Sequence, residues 1–178
     1  MREMMERLLV ERTGKTRAHW NKRVKAEGPG SDDDLLVWLH DQGVTGYAAR
    51  LLVWERHRGY PEWMLASAGE LIDAQYEGKP KLRAVFDAVV EAALDCGDIT
   101  VQARKTYVSL VTARRTFARI QAKSARVDVA LRLDRAPRGR LKPSRIHESM
   151  PVQVELARVA DVDAVVRALI EKAYQANA

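Results

Sequence analysis

Four places in the sequence carry residue types and spacings that chemistry could use. Gly14-Lys15-Thr16 has the ending of a loop whose backbone amides and lysine cradle nucleotide phosphates. Such a loop needs a glycine five residues before Gly14, where Leu9 stands, and a preceding strand, where residues 1–12 are patterned as helix. The triplet therefore reads as a junction between helices. Cys96 is the single cysteine, which excludes a disulfide framework and a multi-thiolate metal site. As a nucleophile it would need a base such as His19, His40, His57 or His147 within reach. It stands instead at an expected helix C-terminus, where the dipole disfavours a thiolate, and reads as a small buried filler. Asp32-Asp33-Asp34 lacks the glycine and distal glutamate of a calcium loop, and no two histidines have the i, i+4 spacing of a helical zinc site. Asp128, followed by Ala130 and Arg132, lacks the glutamate-x-lysine partner of a nuclease. No catalytic residue, metal ligand or cofactor is assigned, and the chain reads as non-enzymatic.

Charge is the feature with more substance. Thirteen Arg and Lys stand against four acids between Asp98 and Ser149, a local charge of +9. The whole chain of 178 residues carries +6, so everything outside that stretch sums to −3. Segregated positive charge suits a polyanion, because guanidinium groups bind phosphate bidentately and exposed rings stack on bases.

These side chains must be positioned by two kinds of element. Residues 1–78 read as short helices separated by Thr13-Gly14, Gly28-Pro29-Gly30 and Gly43. Ser31 ahead of three aspartates is a strong helix start, since its hydroxyl caps free amides and the acids complement the helix dipole. Thr45 is placed to cap the next helix. The two helices over 32–58, joined at Asp41-Gln42-Gly43-Val44, have helix-turn-helix spacing, with Thr45, Tyr47 and Arg50 near the start of the second. Gly78-Lys79-Pro80 predicts a domain junction, with 79–178 as the second domain. There, Leu82, Val85, Phe86, Val89, Val90, Ala93 and Leu94 repeat at helical spacing. Beyond Gly97 the period switches to two, with strands expected at 99–104, 106–111, 116–122, 126–133 and 151–157. Residues 134–149, with Pro137 and Pro143, read as a long mobile loop, and a final amphipathic helix follows. The expected class is α+β: a helical domain, then an antiparallel sheet between two helices in two layers.

A resemblance rests on TGKTRAHW, GVTGYAARLLV, QYEGKPKLRAVFDAVV, KTYVSL, FARIQ, RVDVALRL and RALIEKAY. Together these resemble a two-part bacterial family, a short helical domain of unknown function preceding an α+β domain of unknown function. The resemblance spans nearly the whole chain. It implies the same domain order and carries no activity and no catalytic residue.

A hairpin of 116–122 and 126–133 would turn Ala118, Ile120, Val127, Val129 and Leu131 toward the core. Phe117, Arg119, Gln121, Arg126 and Arg132 would share the other face, joined by Tyr107 and Ser109. The first expectation is a DNA- or RNA-binding protein. Its contacts would be Lys105, Arg114, Arg115, Arg119, Arg126, Arg132, Arg138 and Arg140, with Tyr47 and Arg50 from the helical hairpin. The alternative is a small anionic or aromatic ligand on the sheet face between the domains, lined by Tyr107, Phe117, Arg119 and Arg132 under the loop. No segment has the length and apolarity of a membrane span or the apolar run of a secretory signal, so the expected compartment is the cytoplasm.

Overall fold

The structure is a computed structural model that describes residues 2–57, Gly59 and 66–178. The chain divides into two compact units, Met1–Leu65 and Ala66–Ala178. Gly78, Lys79 and Pro80 therefore lie within the second unit, where they lead from one helix into the start of the next.

The first unit contains α1 (Arg2–Thr13), α2 (Arg17–Glu27), α3 (Asp32–Asp41) and α4 (Gly46–Arg56). The Gly14-Lys15-Thr16 triplet makes the corner between α1 and α2. Gly14 takes φ 66°, a left-handed conformation that costs glycine little. The Thr13 hydroxyl donates to the Leu9 carbonyl (2.7 Å) and accepts from the Trp20 indole (2.9 Å), while Thr16 caps α2 by accepting from the His19 amide (3.3 Å). The hydroxyls of Thr13 and Thr16 and the Lys15 amide, which donates to Thr13 Oγ1 (3.2 Å), are thus all spent on forming the corner. Ser31 caps α3 through the Asp34 amide (3.1 Å), as the sequence predicts. Thr45 occupies the N-cap of α4 without a side-chain cap bond, and its carbonyl receives the Arg12 guanidinium instead (3.0 Å).

All eight residues from Gly46 to Val53 are buried, and α1, α2 and α3 each pack against α4. A helix apolar on every side belongs in an interior. The expected recognition helix is thus the central helix of its unit. Glu55, near the end of α4, has a side chain only 8% exposed and accepts from Arg17 (2.5 Å), Arg2 (3.4 Å) and Asn21. Three helices are tied together by this one carboxylate. Glu55→Ala is expected to cost the first unit about 2 kcal/mol, since charged hydrogen bonds are lost and the cations regain only part of their hydration. Chemical denaturation followed by tryptophan fluorescence measures this.

The second unit begins with α5 (Ala66–Gln75) and α6 (Pro80–Cys96). Six strands follow: β1 (Thr100–Ala103), β2 (Val108–Val111), β3 (Thr116–Ala122), β4 (Val127–Leu131), β5 (Lys142–His147) and β6 (Met150–Leu156). A 3₁₀ turn at Val159–Asp161 leads into α7 (Ala164–Gln175). All neighbours are antiparallel, in the order β1-β2-β3-β4-β6-β5. The α6 and α7 helices pack on each other, α6 against β4 and α7 against β3. Between helices and sheet lie Val85, Phe86, Val89, Val108, Ile120, Val129, Val154, Val166 and Ile170, all fully buried. The α+β class stands.

One expectation is corrected here. Residues 142–147, read as part of a long mobile loop, form β5 at the edge of the sheet. Pro143 argues against a central strand because it cannot donate to a ladder, but an edge strand needs donors on one side only. No helix among the described residues is long and apolar enough to cross a membrane.

Candidate polyanion-binding surface

Cross-strand register decides which side chains share the sheet face opposite α6 and α7. Ser109, Arg119, Ala130, Gln153 and Lys142 are successive register partners from β2 to β5, and so project from the same face. The next row on that face holds Gln121, Asp128 and Glu155. The face carries mostly polar side chains, but at β4 it is not open: Ala130 and Asp128 are 0% and 3% exposed, so the strand expected to be half-buried is buried on both sides.

Arg119 differs from its neighbours. Its guanidinium carbon lies 4.8 Å from the centre of the Tyr107 ring, a cation–π stack. Its Nε–H is buried and has no hydrogen-bond partner, and among the described residues no carboxylate pairs with it. Ser109 and Gln153, in the same row, are 6% and 7% exposed. A buried N–H without an acceptor is costly to keep, because buried polar groups are otherwise hydrogen-bonded.

Three other cations of this face have partners, while Arg145, exposed on the same depression, has none among the described residues. Arg126 reaches Asp128 (2.7 Å) and Glu155 (3.2 Å), Lys142 reaches Glu155 (2.5 Å), and Lys123 donates to the Gln121 amide oxygen (2.7 Å). The Lys142 hydrogen bond holds the Glu155 carboxyl below the usual range. These groups surround a depression of about 350 Å³.

The structure separates the predicted contacts into groups. Because the strands are antiparallel, the turns carrying Lys105 and Arg126 lie at one end of the sheet, beside the Arg119–Tyr107 stack. Arg114 and Arg115 lie in the β2–β3 turn at the opposite end, exposed. Arg132 leaves β4 at that same end and is spent on the Thr116 carbonyl (2.8 Å) and the Ser149 hydroxyl (2.8 Å). Arg138 and Arg140 flank α7, with Arg140 paired to Asp163 (3.1 Å). In the first unit, Tyr47 is fully buried and Arg50 is 7% exposed, so neither is presented at a surface. The sequence showed the reason for this last correction: Tyr47-Ala-Ala-Arg-Leu-Leu-Val is apolar around nearly the whole helix.

Phe117 is a further correction. It was expected beside Arg119, yet it is fully buried, with its ring 5.7 Å from Tyr174 of α7 in an edge-to-face contact. Val111 pairs with Thr116 and Leu110 with Ala118, so Phe117 is an extra residue at a β-bulge. A bulge interrupts strict alternation and re-aims a side chain, here toward the helices. The alternative pocket of Tyr107, Phe117, Arg119 and Arg132 is accordingly not assembled: the side chains of Tyr107 and Arg119 meet, whereas Arg132 touches Phe117 through the backbone, its N–H donating to the Phe117 carbonyl (2.8 Å). Gln153 and Glu155 were missed because nothing local to 150–156 says that it pairs with β4.

Cys96 offers no nucleophile. Its Sγ donates to the Ala92 carbonyl (3.2 Å), and burial, helped by Glu171 and Asp95, pushes the thiol up to about 11 from an ordinary 9.0. Iodoacetamide at pH 8 is expected to alkylate native Cys96 about one hundred times more slowly than a free thiol, with full rate restored in denaturant. Equal rates in the two states would contradict this burial. Among the described residues, no group of three or more His, Cys, Asp or Glu is placed to hold a metal ion.

No curated protein and no solved structure matches the chain. The described sheet, α6 and α7 fall within residues 72–177, which match the family model described as Domain of unknown function (DUF5655), and the chain belongs to that family.

Proposed function

We propose that the second unit binds nucleic acid on the sheet face opposite α6 and α7, without catalysing a reaction on it. The observation that carries this reading is Arg119, a partly buried side chain stacked on Tyr107 with no acid partner among the described residues and a buried, unbonded Nε–H. A phosphate on the accessible part of this guanidinium would give it an acidic partner, and a base could stack beside Tyr107. Lys105 and Arg126 at the same end of the sheet would add charge along the strand of phosphates. Stacking requires unpaired bases, so a single strand should bind more tightly than a duplex. The reading implies a cytoplasmic protein.

Fluorescence anisotropy with labelled single-stranded and duplex oligonucleotides, from low to physiological salt, tests it. Affinity should fall linearly in a log–log plot of salt concentration, with a slope of roughly −0.7 per neutralised phosphate on the single strand. Absence of binding at low salt, or a slope near zero, would sink the proposal.

A further inference from the structure

The arginines of the β4–β5 connection form a second place for an anion, on a different side of the same unit. Leu133 and Leu141 are buried and anchor the ends of this connection. Within it, the Leu141 amide donates to the Arg138 carbonyl (3.1 Å), closing a turn whose second residue, Gly139, has φ 61°. That positive φ at the second position is the geometry of a primed turn, for which glycine is the favoured residue. Arg140 donates to the Asp163 carboxylate (3.1 Å) and to the Asp161 carbonyl (2.8 Å), fastening the turn to the start of α7. What remains between loop and helix is a concavity of about 360 Å³. Arg135, Arg138 and Arg140 form its rim, and Leu141, Val165 and Leu169 give it an apolar floor.

Charge and shape together define the occupant. Arg140 is offset by Asp163, whereas Arg135 and Arg138 have no acidic partner among the described residues. Two uncompensated guanidinium groups match a dianion, and a phosphate monoester is a dianion above its second pKa of about 6. Val165 is 56% exposed, an apolar surface left uncovered beside the cations. Pockets of about 300 Å³ and above, apolar with a few convergent polar groups, suit small ligands. We propose that this concavity binds a small phosphate monoester carrying an apolar group, with Arg135 and Arg138 on the phosphate and Val165 and Leu169 against the apolar part. The site is independent of the sheet face around Arg119.

Isothermal titration calorimetry of the full chain with phenyl phosphate at pH 8 tests the proposal. Saturable one-to-one binding is expected, with inorganic phosphate at least fivefold weaker because it leaves the apolar floor unused. The Arg135→Ala, Arg138→Ala double variant should bind phenyl phosphate at least tenfold more weakly, and Val165→Asp should weaken it comparably. All three side chains are exposed, so folding is preserved. An Arg114→Ala, Arg115→Ala variant, which removes the same charge at the sheet's far end, should bind as the parent does. Prior saturation with a single-stranded oligonucleotide should leave the titration intact, which separates this site from the sheet face. No binding of phenyl phosphate, equal affinity for inorganic phosphate, or equal losses in the two double variants would each overturn it.

Discussion

Arg119→Met is expected to lower affinity for a single-stranded oligonucleotide by tenfold or more while raising the melting temperature of the second unit. The two effects share one cause. In the unliganded protein the Arg119 Nε–H is buried without an acceptor, and such a group costs about 1–3 kcal/mol. Methionine keeps an unbranched apolar stem of similar reach over Tyr107 and removes the unbonded donor and its charge. A gain of about 1 kcal/mol corresponds to about 4 °C in a domain of this size. Bound phosphate would reverse the balance, since a hydrogen bond to a charged group contributes about 1.5–3 kcal/mol, or one to two decades in affinity. Anisotropy titrations and circular-dichroism melts on the same samples measure both. A variant that binds less and melts lower would mark Arg119 as structural and remove the observation on which the proposed function rests.

Arg126 provides the contrast. Its Nε donates to Asp128, whose side chain is only 4% exposed. Arg126→Met strands that buried carboxylate, so lost affinity should there be accompanied by lost stability. Removing one partner of a buried pair destabilises, whereas removing an unpaired charge does not. Two arginines on one sheet face should therefore respond with opposite signs in the melt.

Gly97→Ala should produce the largest loss of stability, about 3 kcal/mol, lowering the melting temperature of the second unit by about 10 °C. Gly97 ends α6 with φ 152°, a conformation that L side chains rarely adopt. A Cβ there would run into the hydroxyl and ring of Tyr174, which in turn packs edge-to-face on Phe117. The methyl group thus meets both backbone strain and overpacking. Adding Tyr174→Leu to Gly97→Ala should recover the steric part and leave the backbone part, a coupling that a double-mutant cycle reads directly. Strict additivity of the two substitutions would show that the side chains do not meet.

Much of the architecture was legible because it is written in local periodicities. The stripe on α6 and the Ser31 cap depend on residues within a few positions of each other, and the structure has both; Val127–Leu131 is a strand as its alternation predicts, but it is buried on both faces rather than half-buried. The Gly14-Lys15-Thr16 corner was also readable, because the missing glycine at Leu9 excluded the phosphate loop without any fold in hand. The segregation of positive charge between Asp98 and Ser149 is likewise a property of the sequence alone.

What tertiary structure decided was which of those charges remain available. Arg119, Arg126, Arg132 and Arg140 look alike in sequence, yet three are spent on Asp128, the Thr116 carbonyl and Asp163, partners supplied by strand register and by α7. Phe117 changed face through one bulge, and residues 142–147 became a strand by pairing with β6. The α4 helix was recognisable as a helix, but its place at the centre of its unit came from the packing of three others around it. Periodicity specifies which face of an element is apolar, since it follows from backbone geometry over one or two turns. It leaves open which distant element will cover that face, and the pairing of charges depends on that choice.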